Sequence, residues 1–540
     1  MVRTLLFQSI NMSSILIVSN KNNYFLLLLF MDFLLLKSFL PEIFLSLCIL
    51  IQLVFNVYLI TFINYNFPVL NKEIFSQTGF ILLCVLFLLY NSKIEVFFLN
   101  FLFVNDSGSN YVKFLLILSC LFVLSTIVTC FKFQKLNFFE FFTILLLSIL
   151  SLLLLISSCD MLSAYLAIEM QALSFYILAC FKRNSSFSIE AGLKYFITGA
   201  FISGIFLFGC SIIYGILGTL NFNSISLLLF IPIENDFVFL NHFLLVGILL
   251  VVITFLFKLS VVPFHFWSPD VYEGSPLAST IIFSIVPKLA LFHFLIKWLI
   301  VILDSFPQIE TLLFFCGIFS ILVGSFFAIR QKRIKRLVIY SSIAQVGFLI
   351  SALSINSLNS FVAVYFFIII YILSSILMWS HISFFYSFQD KILNYKNKTL
   401  LPIFLSNLSN FFKSNKLWAF SLVLIFFSIA GIPPLSGFLS KIFIILSIIE
   451  HKEIFNILLL VLISSISVFY YLRIMKVAFF EPTIINKNKK DSISVIFNTQ
   501  NFDFDCLIIS TLLYLLLFIF FNPSFLLLIC HKIVLSSFFF

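Results

Sequence analysis

About fourteen stretches of some 20 mostly apolar residues follow one another along this chain, from 41–63 to 503–530, each long enough for a helix to cross a bilayer. Hydrophobic residues make up 62% of the sequence and charged ones only 10%, with a mean hydropathy of +1.18. One water-soluble core cannot hide so much apolar surface. The fold class read from this is an all-α polytopic membrane protein of about 14 transmembrane helices. Phe alone occurs 78 times. Phe, Ile, Asn and Lys share A/T-rich codons, which points to an A/T-biased genome such as an organellar one.

Loop charge sets the expected orientation. Loops after odd-numbered spans carry Lys72, Lys135, Lys182, Arg183, the run Arg330, Lys332, Arg333, Lys335 and Arg336, and Lys396, Lys398 and Lys487. The opposite loops are poor in base, Lys93 and Lys452 being exceptions, and carry Asp106, Glu234, Asp236 and Asp304. By the positive-inside rule the basic loops face a cytoplasm or mitochondrial matrix, and an even span count puts both termini on the other side. Segment 263–275 is acidic although it lies on the basic side. Arg330 to Arg336 reads most simply as an orientation anchor, and Glu42 and Glu140 as interfacial residues near span ends. Met1 to Asn23, with only Arg3 and Lys21 as basic residues, reads as neither a secretory signal nor an arginine-rich transit peptide, which fits synthesis inside the compartment of use.

The net charge of +10 lies in such loops, with no basic stretch interleaved with stacking aromatics in a polar setting, so nucleic acid is excluded as a partner. The ten cysteines are scattered, with no CxxC and no His at ligand spacing. They read as buried thiols, with no metal site and no redox centre.

The chemistry concentrates where lysine interrupts apolar runs. Lys258 precedes Pro263 by five residues, Lys288 adjoins Pro287, and Lys441 follows Ala430-Gly-Ile-Pro-Pro434-Leu-Ser-Gly437. A proline inside a span frees backbone groups, and such breaks persist only where protein or water satisfies them. Lys258 reads equally as a snorkelling side chain or as a functional group at the break. Lys288 is about 12 residues into its span, roughly 18 Å along a helix and too deep to snorkel. Lys441 is similarly deep in the span 417–449. A lysine can give up its proton in a desolvated site, whereas a guanidinium stays charged. Glu169, mid-span in Asp160–Tyr176, is either a neutral carboxyl bonded to a neighbouring helix or the acidic partner of such a lysine. Lys194 near a span start could be an anchor; His265 and His293 could be structural or relays.

The stretch Phe257-Lys258-Leu-Ser-Val-Val-Pro263-Phe-His265-Phe-Trp267-Ser-Pro269-Asp270-Val-Tyr272-Glu273-Gly274-Ser-Pro276 resembles the characteristic motif of the subunit 2 family of respiratory complex I, the NADH:ubiquinone oxidoreductase. Pro41-Glu42-Ile-Phe-Leu, Asp160–Tyr176, Glu190–Ala200, Ile334–Gly347 and Ala430–Lys441 resemble the same family. The resemblance implies two inverted five-helix repeats with broken helices near Pro263 and Pro433, about 170 residues apart. Residues 1–40 would be an N-terminal extension, 41–137 the N-terminal helices, 138–302 and 307–480 the two repeats, and 481–540 a loop and C-terminal helix. It further implies Glu169 and Lys258 as the pair where protons come in, Lys288 as the central relay and Lys441 as the exit-side residue. A lysine at 441 fits subunit 2 better than the related subunit 4, which typically has Glu there. Gln345 stands where many relatives have His.

The function implied is a proton-translocating membrane-arm subunit of an NADH:ubiquinone reductase in the mitochondrial inner membrane, with both termini in the intermembrane space. The resemblance also implies no cofactor in this chain; its partners would be other membrane-arm subunits and lipids within a large hetero-oligomer. The homologous subunit of a plastid or bacterial complex and a stand-alone cation/proton antiporter are the alternatives. A passive scaffold would have no reason to carry the desolvation cost of four buried ionisable groups.

Overall fold

The computed structural model describes residues 37–62, 71–91, 96–98, 102–134, 139–229, 238–393, 404–405, 416–451, 454–480 and 503–538. Residues 1–36 of the expected N-terminal extension and the loop 481–502 lie outside the described residues.

Helices α1 (Leu40–Phe62) and α2 (Asn71–Asn91) lead to a short antiparallel hairpin, β1 (Val96–Phe98) and β2 (Phe103–Asn105). Then come α3 (Ser107–Gln134), α4 (Glu140–Ser157), α5 (Met161–Ala179), α6 (Ser186–Leu217) and the short α7 (Phe222–Leu229). Next are α8 (Val238–Lys258), α9 (Trp267–Gly274), α10 (Leu277–Ile302), α11 (Gln308–Arg330), α12 (Ile334–Leu353) and α13 (Leu358–Leu393). The chain continues through α14 (Lys416–Ala430), α15 (Ser436–Glu450), α16 (Ile454–Phe480), α17 (Asp503–Phe521) and α18 (Ser524–Phe538).

Among the described residues twelve helices are long and apolar enough to cross a membrane, or thirteen with α17 and α18 taken as one bent span. The expected span 417–449 is instead two half-length helices, α14 and α15, on either side of Pro433-Pro434, which accounts for the difference from fourteen. The last span also ends earlier than expected, because at Asn522-Pro523 the chain bends by 85° into α18. A proline there cannot continue the preceding helix. Helices α10 and α13 form the axis of the bundle: 89% of the apolar stretch of each is buried, against 28% in α2 and α6, which lie at its periphery.

Both breaks are made the same way. Beyond α8, the Ser260 N–H donates to the Phe257 carbonyl and the Val261 N–H to the Leu256 carbonyl, each at 2.9 Å, with Ser260 at φ 58°. Beyond α14, the Gly431 N–H donates to Ser428 at 3.1 Å and the Ile432 N–H to Phe427 at 3.0 Å, with Gly431 at φ 84°. This is a Schellman cap, in which one left-handed residue lets two following N–H groups satisfy the last carbonyls of the helix. The left-handed residue stands three before Pro263 and three before Pro434, so the second break is in register with Pro434 rather than Pro433.

The acidic segment 263–275 finds its counter-ions at the basic end of the bundle. Arg333 and Arg336 both pair with Glu273, and Arg336 also reaches Asp270 at 3.2 Å. The arginine run is therefore more than an orientation anchor, since it clamps the first broken helix to the start of α12. At the opposite end the hairpin closes over the bundle. Phe103 bridges Ser158, and the Cys159 N–H donates to the Leu102 carbonyl at 2.9 Å.

Helices α11 and α12 pack through small residues, as membrane helices do where backbones approach closely. A Cβ on Gly347 would lie 2.1 Å from Ser320 Oγ and 2.8 Å from the Gly317 carbonyl. Gly347→Leu is therefore expected to cost at least about 2 kcal/mol of stability by overpacking. Gly79→Leu should be close to neutral, because nothing lies within 4 Å of its Cβ position. Thermal unfolding of the two variants in detergent checks this, and equal melting temperatures would contradict the packing argument.

Candidate functional site

Lys288 lies on α10, nearly fully buried at 4% exposure. Its Nζ donates to the Tyr371 hydroxyl of α13 at 2.6 Å, and that hydroxyl donates to the Ser284 carbonyl at 3.0 Å. The ammonium also lies 4.5 Å from the centroid of the Tyr371 ring. Its partner is thus a neutral hydroxyl and a π face rather than a carboxylate. Beside it is a cavity of about 20 Å³ where Ser284, Ser341, Gln345 and Tyr371 meet apolar side chains such as Met378 and Phe426. A void of that size with several hydroxyls and an amide on its wall has room for a water molecule. Gln345 thus has a place in the site as a polar wall, with no titratable group of its own.

Lys258 is the last residue of α8, placed there by the cap that ends the helix. It lines a smaller cavity of about 10 Å³ between α5, α6 and α8, whose wall is apolar, with Ile168, Ile202, Phe206 and Phe255 beside Tyr165, Ser203 and Thr254. Glu169 is one helical turn beyond Tyr165 on α5 and within electrostatic reach of Lys258. No ion pair or hydrogen bond joins the two among the described residues, and Glu169 Oε1 is buried without a hydrogen-bond partner. The break itself is sealed by protein: the Trp267 indole N–H donates to the Phe257 carbonyl at 3.0 Å.

Lys441 lies on α15, and its Nζ donates to the carbonyl of Ala430, the last residue of α14, at 2.7 Å. It spans the second break, with the Phe348 ring centroid 5.4 Å away. The backbone of Gly431 leaves room for this: a Cβ there would lie 2.9 Å from Lys441 Cδ. The two broken helices therefore present a lysine in different ways, Lys258 from the residue at the cap and Lys441 from across the gap.

The weaker candidates divide. Lys194 belongs to the surface, paired with Glu190 at 2.7 Å and Asp270 at 3.2 Å, and serves as an anchor. His265 is buried within the first break, with Nδ1 unpartnered. His293 is buried on α10, its Nδ1 2.7 Å from the Tyr365 hydroxyl. Glu42 is not interfacial: it is 4% exposed and ion-paired at 2.5 Å to Lys113, which is fully buried. Sequence reasoning missed Lys113, and also Lys297, buried on α10 and donating to the Ile156 carbonyl at 2.9 Å. Both stand close to a span end, where a lysine ordinarily snorkels.

Half-buried lysines at two helix breaks, with a buried lysine on the central helix of an all-helical membrane bundle, define the antiporter-like class of membrane subunits. Residues 158–467 match the family described as NADH:quinone oxidoreductase/Mrp antiporter, TM. The chain is 37% identical over 448 residues to NADH-ubiquinone oxidoreductase chain 2 of Marchantia polymorpha, covering 82% of this chain and 88% of that one. It is 36% identical over 502 residues to NADH-quinone oxidoreductase subunit N of Pelagibacter ubique, covering 92% and 99%. In fold it is similar to a chain of respiratory complex I from Thermus thermophilus, with a TM-score of 0.68 at 23% identity, covering 90% of this chain and 98% of that one. A chain of the Mrp complex from Dietzia gives a TM-score of 0.73 at 18% identity, covering 93% and 98%. The chain belongs to the chain 2/subunit N family of NADH:quinone oxidoreductase membrane subunits.

Proposed function

We propose that this chain is the proton-translocating membrane-arm subunit of an NADH:ubiquinone oxidoreductase, placed in the mitochondrial inner membrane. The observation that carries the reading is Lys288, buried on the central helix with a tyrosine hydroxyl as its hydrogen-bond partner and a water-sized cavity beside it. Such a group is too costly to keep for packing. Residues 138–302 and 307–480 act as the two repeats, each organised around one capped break. Glu169 and Lys258 take up the proton, Lys288 holds it at mid-membrane, and Lys441 releases it. Asp270 and Glu273, clamped by Arg333 and Arg336, position the first break. NADH oxidation and quinone reduction belong to partner subunits, and this chain supplies the charge path that they drive. The basic end faces the matrix and both termini the intermembrane space.

The identity of the Marchantia relative supports the respiratory reading over a free-standing cation/proton antiporter, for which the Dietzia likeness speaks only at the level of fold. The test is native electrophoresis of the detergent-solubilised membrane. The chain is expected to migrate with an NADH-oxidising assembly. Migration alone, or with an assembly that does not oxidise NADH, would overturn the reading.

A further inference from the structure

A second set of buried ionisable groups lies between the hairpin end and Lys288, and the path just described does not use it. Glu42 Oε1 and Lys113 Nζ are 2.5 Å apart. Lys113 also donates to Asn105 Oδ1 of β2, whose amide donates to the Ser38 carbonyl. Asp106 and Lys297 are within electrostatic reach of Lys113, and Lys297 is likewise within reach of His293. His293 is one turn before Lys297 on α10 and five residues beyond Lys288, about 8 Å along the axis. Helix α13 lies against α10 and offers a tyrosine at each level, Tyr371 to Lys288 and Tyr365 to His293.

Two atoms in this set have no partner although they are buried: Glu42 Oε2 and His293 Nε2. A buried polar atom left unpaired costs free energy and calls for an explanation such as an internal water or a proton-transfer role. Here one stands at each end of the set. A structural ion pair would explain Lys113 and Glu42 Oε1. It would not explain the open acceptor on Glu42, nor why the set continues through Lys297 to an imidazole with one free ring nitrogen.

We infer that Glu42, Lys113, Lys297 and His293 form a second proton-transfer path, linking Lys288 to the membrane face under the hairpin. In the outermost step Lys113 gives a proton to Glu42: one N–H bond breaks, one O–H bond forms, and the ion pair becomes a neutral amine and a neutral acid. Glu42 then releases that proton to the aqueous face. Lys113 regains one from Lys297, which is recharged through His293. No oxidant, reductant or further reactant is needed.

The inference rests on the proton-translocating reading, so the test carries a control for that reading. Lys113→Arg keeps a cation opposite Glu42 but cannot release its proton. The double variant Glu42→Gln with Lys113→Met removes both charges, a change that buried pairs often tolerate. Each is made in the whole complex, together with Lys288→Met, and NADH-driven proton uptake by vesicles is recorded beside native-gel assembly. The expected result is an assembled complex with proton uptake lowered at least fivefold in both variants. Wild-type uptake in Lys113→Arg, or failure of both variants to assemble, makes the pair structural and overturns the inference. If Lys288→Met is impaired in the same experiment, the function stands without this path; if it is also normal, the function itself fails.

Discussion

Lys288→Met is expected to lose NADH-driven proton uptake by at least tenfold while the complex stays intact on a native gel. Methionine keeps the unbranched length of the side chain and removes its charge. Moving an ammonium out of water costs several kcal/mol, and neither a tyrosine hydroxyl at 2.6 Å nor a ring face at 4.5 Å replaces a full hydration shell. For a lysine kept for packing, the substitution would relieve that cost and leave activity alone. For a relay it removes the one stop for a proton at mid-membrane. A tenfold loss corresponds to about 1.4 kcal/mol in the barrier, small beside the desolvation cost, so the variant should be slower without being less stable. Unchanged uptake would return Lys288 to a structural role.

Glu169→Gln is expected to lower proton uptake and NADH oxidation at least tenfold, with Glu169→Asp recovering part of the loss. The carboxyl has one buried oxygen without a hydrogen-bond partner and lies within electrostatic reach of Lys258, yet forms no ion pair with it. A permanent salt bridge would lock both charges. Separated groups can exchange a proton as their spacing changes. Glutamine keeps the shape and the hydrogen-bonding capacity but holds no exchangeable acid proton. Activity at the wild-type level in Glu169→Gln would make this residue a hydrogen-bonding filler between α5 and its neighbours.

The class of this chain and its two breaks were legible because each is a local signal. An apolar run, a proline inside it and a lysine too deep to snorkel can all be read within some twenty residues. Lys113 and Lys297 were not legible for the converse reason. Each stands near the end of its span, and what makes it buried is remote in sequence: Glu42 and the hairpin for Lys113, the end of α4 for Lys297. The same holds for the acidic segment 263–275, unusual until Arg333 and Arg336 arrive sixty residues later to neutralise it. Tyr371 was invisible among the aromatics of α13, and only its placement opposite Lys288 distinguishes it. The extent of the last span depended on Asn522-Pro523, where the bend set by proline overrides continuous hydropathy.

The central claim is that Glu169, Lys258, Lys288 and Lys441 carry the proton, and the number of protons taken up per NADH oxidised tests it most directly. Both quantities are recorded on the same vesicles for the assembled complex carrying Glu169→Gln, Lys258→Met, Lys288→Met or Lys441→Met. Because each residue is a step in one path, every variant should either stop both processes together or oxidise NADH with fewer protons moved for each turnover. Wild-type turnover at the wild-type proton ratio in all four variants would contradict the account, since protons would then be crossing without these residues.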